Sequence, residues 1–158
     1  MSSHIAYLVL GTNLGNRNKN LCNAESEIDA LPHTIILKKS KIHKSPAYGP
    51  FKQPFFFNMA IKIQTKLSPI ALLENLQQVE KKLKREKDSH MKPRTIDIDI
   101  VFYDDLEVNK PNLKIPHYDW QNRLFVVEPL YEVLNKPLDK SSSKIFDQKI
   151  TNIGKIKT

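Results

Sequence analysis

An α+β sandwich, one antiparallel sheet with helices packed on it, is the fold class that this 158-residue sequence predicts. Three observations carry it. Segments with the two-residue alternation of strands and segments with a helical stripe follow one another as β-α-β-β-α-β. Hydrophobic residues make up 40% of the chain, enough for one proper core at this length. No repeat or linker interrupts the series, so a single domain over residues 1–158 is expected.

Residues 5–10 read as a first strand, closed by the turn-rich GTNLGN. A helix follows, with Leu21, Ala24, Ile28 and Leu31 on one stripe. Residues 34–43 read as one continuous second strand. A loop stiffened by Pro46, Pro50 and Pro54 and turned at Gly49 leads to a third strand over 55–65. Its alternation places Phe56 and Asn58 on one face and Phe57, Met59, Ile61 and Ile63 on the other. Ser68 and Pro69 are start signals for a second helix, whose core stripe is Leu72, Leu76, Val79 and Leu83. The last strand holds PRTIDIDIVFYDD, where Ile96, Ile98, Ile100 and Phe102 alternate with Asp97, Asp99, Val101 and Tyr103. Residues 109–116 read as irregular, 119–134 as short helical pieces broken at Pro129, and the tail beyond about 138 as little more than a last helical turn. The order of these elements is that of the ferredoxin plait.

Several classes drop out on composition. No apolar run is long enough to span a bilayer, and the start lacks a basic leader, which predicts a protein without a membrane role. Cys22 is the single cysteine, so neither an internal disulfide nor a cysteine zinc site is expected, and a reducing cytoplasm is. The net charge of +8 favours an anionic partner. Seven Lys or Arg against Glu86 and Asp88 give residues 81–94 a local net of +5, directly before the aspartate strand. A solvated helix end is the plain reading; beside paired carboxylates, the same block can also grip phosphate.

Asp is depleted in strands, and Asp97 and Asp99 share a face with Cα atoms roughly 6.6 Å apart. Such a pair suits hard cations, and paired metal ions recur in phosphoryl transfer; the plain alternative is an exposed sheet face. No histidine pair has ligand spacing on a shared helix. GTNLGNR fails the phosphate-loop pattern, since Gly11 and Gly15 are one residue too close and Asn16-Arg17 follow; Gly11 instead allows close backbone approach to a neighbour or ligand. In SPAYGPFKQPFFFN, Asn58 offers an amide suited to a pterin or purine edge, and Phe56 beside it can stack on the ring. Phe55 and Phe57 read as plain core. His117, Tyr118 and Arg123 in IPHYDWQNRLF are either ordinary surface or a phosphate grip.

Together, PRTIDIDIV, SPAYGP with QPFFFN, and IPHYDWQNRLF closely resemble the 6-hydroxymethyl-7,8-dihydropterin pyrophosphokinase family of folate biosynthesis, over about residues 5 to 135. The resemblance implies an α/β/α sandwich with a ferredoxin-like core, and transfer of pyrophosphate from ATP to the pterin's hydroxymethyl with release of AMP. It also implies two Mg²⁺ ions held by Asp97 and Asp99, a positive answer to their mutual repulsion. Ser45, Pro46 and Tyr48 correspond to the loop whose backbone reads the pterin, Asn58 to the amide reader, and Phe56 with Phe125 to an aromatic sandwich. Gln77, Glu80, Arg85, Lys87, Arg94, Ile100, His117, Tyr118 and Arg123 fall on the nucleotide side. Where the family usually has Gly, Arg, Arg, Trp and Gly, this chain has Lys84, Lys87, His90, Met91 and Lys92.

The implied chemistry is in-line attack by the pterin hydroxyl on the β-phosphorus, with Arg85, Arg94 and Arg123 stabilising developing charge. A monomer acting on small molecules, with no nucleic-acid partner, is expected. Two other classes compete with it: a basic single-stranded RNA binder with FFF as its stacking platform, and a protein scaffold without catalysis. The paired aspartates oppose the first, and the retained metal and pterin positions oppose the second.

Overall fold

The computed structural model describes residues 2–46, 54–85, 96–117, 120–134 and 151–154. Its main sheet runs in the spatial order β5 (Asp97–Tyr103), β1 (His4–Thr12), β4 (Phe56–Thr65), β3 (Ile42–Ser45) and β8 (Thr151–Gly154), with β2 (Thr34–Lys39) also pairing with β4. Every pairing is antiparallel. Helices α1 (Arg17–Asp29) and α2 (Pro69–Arg85) pack on one face, where Leu8, Leu10, Ile61, Ile63, Leu21 and Leu76 form the main core. Helix α3 (Leu124–Leu134) covers part of the other face, over Val9, Ala60 and Val101. The result is the expected ferredoxin-like α/β/α sandwich. No helix among the described residues is long and apolar enough to cross a membrane.

The second helix begins as its sequence dictates: the Ala71 N–H donates to Ser68 Oγ at 3.2 Å. Its four predicted stripe residues, Leu72, Leu76, Val79 and Leu83, are all buried. Helix α1 is capped by Asn16, whose side chain accepts from the Lys19 N–H at 3.0 Å.

Five expectations need correction. The single second strand is two strands, because Ser40 Oγ accepts the Ala60 N–H at 2.8 Å and the Ser40 N–H donates to Ala60 O at 2.9 Å. The side chain thus takes a place that a ladder carbonyl would fill, and the register against β4 shifts across it. In β5 the alternation breaks after Val101. A bulge opposite Tyr7 and Leu8 turns Val101 and Phe102 toward α3 and sends Tyr103 into the main core. Residues 109–116 are not irregular: β6 (Val108–Lys110) and β7 (Leu113–Ile115) form a hairpin. Pro129 lies inside α3 without breaking it; burial of Val126, Leu130 and Val133 outweighs the lost backbone bond. In the tail, β8 is a strand on the edge of β3.

Candidate active site

Gly11 is where the site begins. On the α3 side of the sheet, Asn58 of β4 and Asp97 of β5 flank it directly across the strands. Two strand spacings separate the Cα atoms of Asn58 and Asp97 by roughly 10 Å. Between them Gly11 contributes no side chain, so a trough is left with a backbone floor. A Cβ on Gly11 would stand 3.0 Å from Asn58 Oδ1, a tight contact, and 3.8 Å from the Phe56 ring, so any larger residue would press on the Asn58 amide.

Asn58 is buried and held. Its Nδ2 donates to Ser45 Oγ at 2.8 Å and to the His43 carbonyl at 3.5 Å, which fixes the amide plane. Phe56 lies two residues earlier on the same face, and Phe125 packs against the apolar cluster beneath α3. The Arg123 guanidinium sits 5.3 Å from the Phe125 ring centre. His43 itself is buried between two glutamates of α3: Nε2 meets Glu132, and Nδ1 lies 3.4 Å from Glu128 Oε2. The Lys41 N–H also donates to Glu132, at 2.9 Å, so α3 is tied to the strand that carries Ser45.

At the other end of the trough, Asp97 and Asp99 point to the α3 side because Ile98 and Ile100 are anchored in the main core. Asp99 is half exposed, with His117 Nε2 at 3.6 Å from its Oδ1. The His117 N–H donates to the Val101 carbonyl at 3.0 Å, which places that ring along β5. Glu80 of α2 accepts the Ile98 N–H at 2.7 Å. Burial pushes its carboxyl above the usual range; the Ile98 bond and Lys84 oppose this, and Asp97 and Asp99 add to it. Asp97 and Asp99, i,i+2 on one strand, are an oxygen donor pair of the kind a hard divalent cation takes, though no cluster of three or more carboxylates or imidazoles that could hold a metal forms among the described residues.

Beside them is a cavity of about 240 Å³. Leu73, Ile98, Ile100 and Leu113 give it apolar walls, and Asp99, Lys114 and His117 give it polar ones. Gln77 is exposed on α2, one turn from both Leu73 and Glu80. Of the residues expected from sequence, Gly11, Ser45, Phe56, Asn58, Asp97, Asp99, Ile100 and His117 gather around the trough and cavity. Pro46 directly follows β3, Arg85 is the last residue of α2, and Arg123 precedes α3. Tyr48, Lys87, Arg94 and Tyr118 lie outside the described residues, as do His90, Met91 and Lys92.

Sequence reasoning missed Leu73, Asn112 and Lys114 at the cavity, because the hairpin that supplies the last two read as irregular chain. It also missed Asn13 and Arg17. Arg17 Nη1 donates to the Phe55 carbonyl at 2.6 Å, and Asn13 Nδ2 to the Pro54 carbonyl at 3.4 Å. Phe55 is not core, as it is 46% exposed. Strand alternation also sends Phe56 to one face and Phe57 to the other, so the three rings do not share one face.

The family model for 7,8-dihydro-6-hydroxymethylpterin-pyrophosphokinase (HPPK) matches residues 7–135. The chain belongs to this family. It is 45% identical over 130 residues to the bifunctional protein FolKE of Lactococcus lactis subsp. lactis, covering 82% of this chain and 37% of that protein. It therefore spans little more than a third of that bifunctional relative. It is also 33% identical over 156 residues to the 2-amino-4-hydroxy-6-hydroxymethyldihydropteridine pyrophosphokinase of Bacillus subtilis, covering 99% of this chain and 93% of that one. Among solved structures, Plasmodium falciparum HPPK-DHPS A437G with SDX-DHP has the same fold, at a TM-score of 0.67 and 14% identity. That match covers 90% of this chain and 44% of the other. The family is one of pyrophosphokinases, and the pyrophosphokinase fold here is the one the β-α-β-β-α-β order announced.

Proposed function

We propose that this chain transfers pyrophosphate from ATP to the hydroxymethyl group of 6-hydroxymethyl-7,8-dihydropterin, yielding AMP and the pterin diphosphate in folate biosynthesis. The observation that carries it is the row Asn58–Gly11–Asp97, a glycine-floored trough with an amide reader at one end and a carboxylate at the other. With its Nδ2 committed to Ser45 and His43, Asn58 presents Oδ1 as an acceptor for the N–H edge of a pterin. Phe56 and Phe125 stack on the ring from the α3 side, and backbone groups around Ser45, Pro46 and Tyr48 complete the reading of its edge. The ring's far end, with its hydroxymethyl, then reaches toward Asp97.

The adjoining cavity takes the adenine, with Leu73, Ile98, Ile100 and Leu113 against its faces and Lys114 at its polar edge. Gln77, Glu80, Arg85, Lys87, Arg94, His117, Tyr118 and Arg123 hold the remainder of the nucleotide. Asp97 and Asp99 would hold two Mg²⁺ ions. Bound there, these ions would offset charge on the triphosphate and on the entering and leaving oxygens. Asp97 and Asp99 orient the reacting groups for in-line attack on the β-phosphorus, and Arg85, Arg94 and Arg123 stabilise the charge that develops. The reading is that of a monomeric cytoplasmic enzyme acting on small molecules, with this activity carried by one domain.

The test is AMP release from ATP, measured with and without the hydroxymethyl-dihydropterin and Mg²⁺. Release that depends on both is expected. Release independent of the pterin would mean simple hydrolysis and would remove the proposal.

A further inference from the structure

The GTNLGNR segment, which fails as a phosphate loop, makes two unusual contacts at its end. Arg17 Nη1 donates to the Phe55 carbonyl at 2.6 Å, and its guanidinium lies 4.3 Å from the centre of the Phe57 ring. The two groups it grips are on either side of Phe56. Holding the carbonyl of one neighbour and the ring of the other fixes the backbone frame from which Phe56 projects to the opposite face. Asn13 adds a contact to the preceding carbonyl, that of Pro54.

Arg17 is itself delivered by a braced turn. Gly15 takes φ of 66°, a left-handed conformation suited to glycine. Buried Asn20 donates to Thr12 Oγ1 at 3.0 Å and to the Leu14 carbonyl at 2.6 Å, pinning the turn onto α1. Asn16 caps the helix at whose first position Arg17 stands. The frame is therefore rigid on the side of the arginine, and the short stretch at the start of β4 is referenced to it.

We infer that Arg17 is a positioning residue for the pterin: it sets where Phe56 stands without touching the substrate. The inference rests on the reading of the trough as the pterin site. The guanidinium matters, because its planar fork can donate to a carbonyl while its cationic carbon sits over a ring. Lysine keeps a donor and loses the stack.

Fluorescence titration of the pterin, in the presence of a non-hydrolysable ATP analogue, decides the matter on wild type, Arg17→Ala and Arg17→Lys. Arg17→Ala is expected to weaken pterin binding about tenfold, equivalent to about 1.4 kcal/mol. Arg17→Lys should fall between the two, and both variants should bind the analogue alone within about twofold of wild type. Should the alanine variant fail to fold, Arg17→Lys carries the test by the same split between the two ligands. Pterin affinity within twofold of wild type in a folded variant overturns the inference, and so does a parallel loss of both affinities, the mark of a merely structural residue. A wild-type protein that binds no pterin at all overturns the reading of the trough and this inference with it, whereas intact wild-type binding with unaffected variants removes this inference alone.

Discussion

On the α1/α2 side of the sheet, Leu8, Leu10, Met59, Ile61 and Ile63 fill the space between strands and helices and are wholly buried. On the α3 side the same strands show Val9, Gly11, Ala60 and Asn58, with Asp97 and Asp99 on the neighbouring strand. Large side chains close the first face. Small and polar side chains make up this row of the second face, which is the more open one at Asp97 and Asp99, while α3 covers Val9, Ala60 and Val101. One sheet thus separates its core from the proposed site by the two-residue period of its strands: each core anchor at position i fixes the aim of a proposed site residue at i−1 or i+1. Ile98 does this for Asp97 and Asp99, and Met59 does it for Asn58.

Four measurements would break or sharpen that contrast. The largest effect belongs to the carboxylates. Asp97→Ala or Asp99→Ala should lower turnover about a hundred- to a thousandfold with thermal stability nearly unchanged, because neither side chain is a core contact. Activity within tenfold of wild type in Mg²⁺ would show that the open face is not organised around these residues. On the closed face the outcome should invert. Leu10→Ala is expected to cost about 2–5 kcal/mol in urea unfolding while the folded fraction keeps near-normal activity. If that variant unfolds with wild-type stability, the aliphatic layer is not what holds the sheet.

Asn58→Ala stands between the two, as a buried residue that also faces the trough. It should weaken pterin binding by about 1–3 kcal/mol, by leaving polar edges unpaired, with ATP binding little changed. Titration calorimetry with each ligand separates these, and equal losses for both would assign Asn58 to the scaffold.

The smallest effect lies far from the site. Asp104 accepts the Ile5 N–H at 2.8 Å and pairs with His4 Nδ1 at 2.6 Å. Burial, the largest single influence, pushes its carboxyl up, but the Ile5 bond and His4 together outweigh it and hold the group below its ordinary value. A carboxyl depressed in the folded state adds stability above its unfolded pKa, near ~3.9, and loses that contribution as pH falls through the lower folded value. The Asp104 backbone has φ of 48°, which asparagine tolerates, so Asp104→Asn removes the charge alone. The stability gap between wild type and Asp104→Asn should be modest at pH 6 and shrink toward pH 3. A gap independent of pH would exclude the carboxylate as its source.

Local signals gave what local physics controls. The Ser68-Pro69 start and the leucine stripe define α2 because capping and helical periodicity need no distant partner. The aim of Asp97, Asp99, Phe56 and Asn58 was readable for the same reason, since alternation along one strand settles it. What escaped depends on a second strand or helix. The break at Ser40 requires the Ala60 N–H, and the bulge at Val101 requires β1 as its reference. A polar tail becomes β8 only because β3 offers an edge to pair with. The cavity joins Leu73 to Lys114, 41 positions apart in sequence, a proximity no short window along the chain can contain.

The bulge in β5 divides that strand into two reading frames. Upstream of it, odd-numbered residues belong to the solvent-facing chemistry; downstream, an odd-numbered residue, Tyr103, is buried with its hydroxyl bonded to the Leu67 carbonyl. Each frame is locked by its own buried side chains, so slippage in one need not propagate into the other. An insertion or deletion near the aromatic end would be absorbed as a larger or smaller kink, while the aspartates kept their aim. The carboxylate pair is in this sense insulated, mechanically, from the length variation that the neighbouring turn at residues 104–107 can accumulate over evolutionary time.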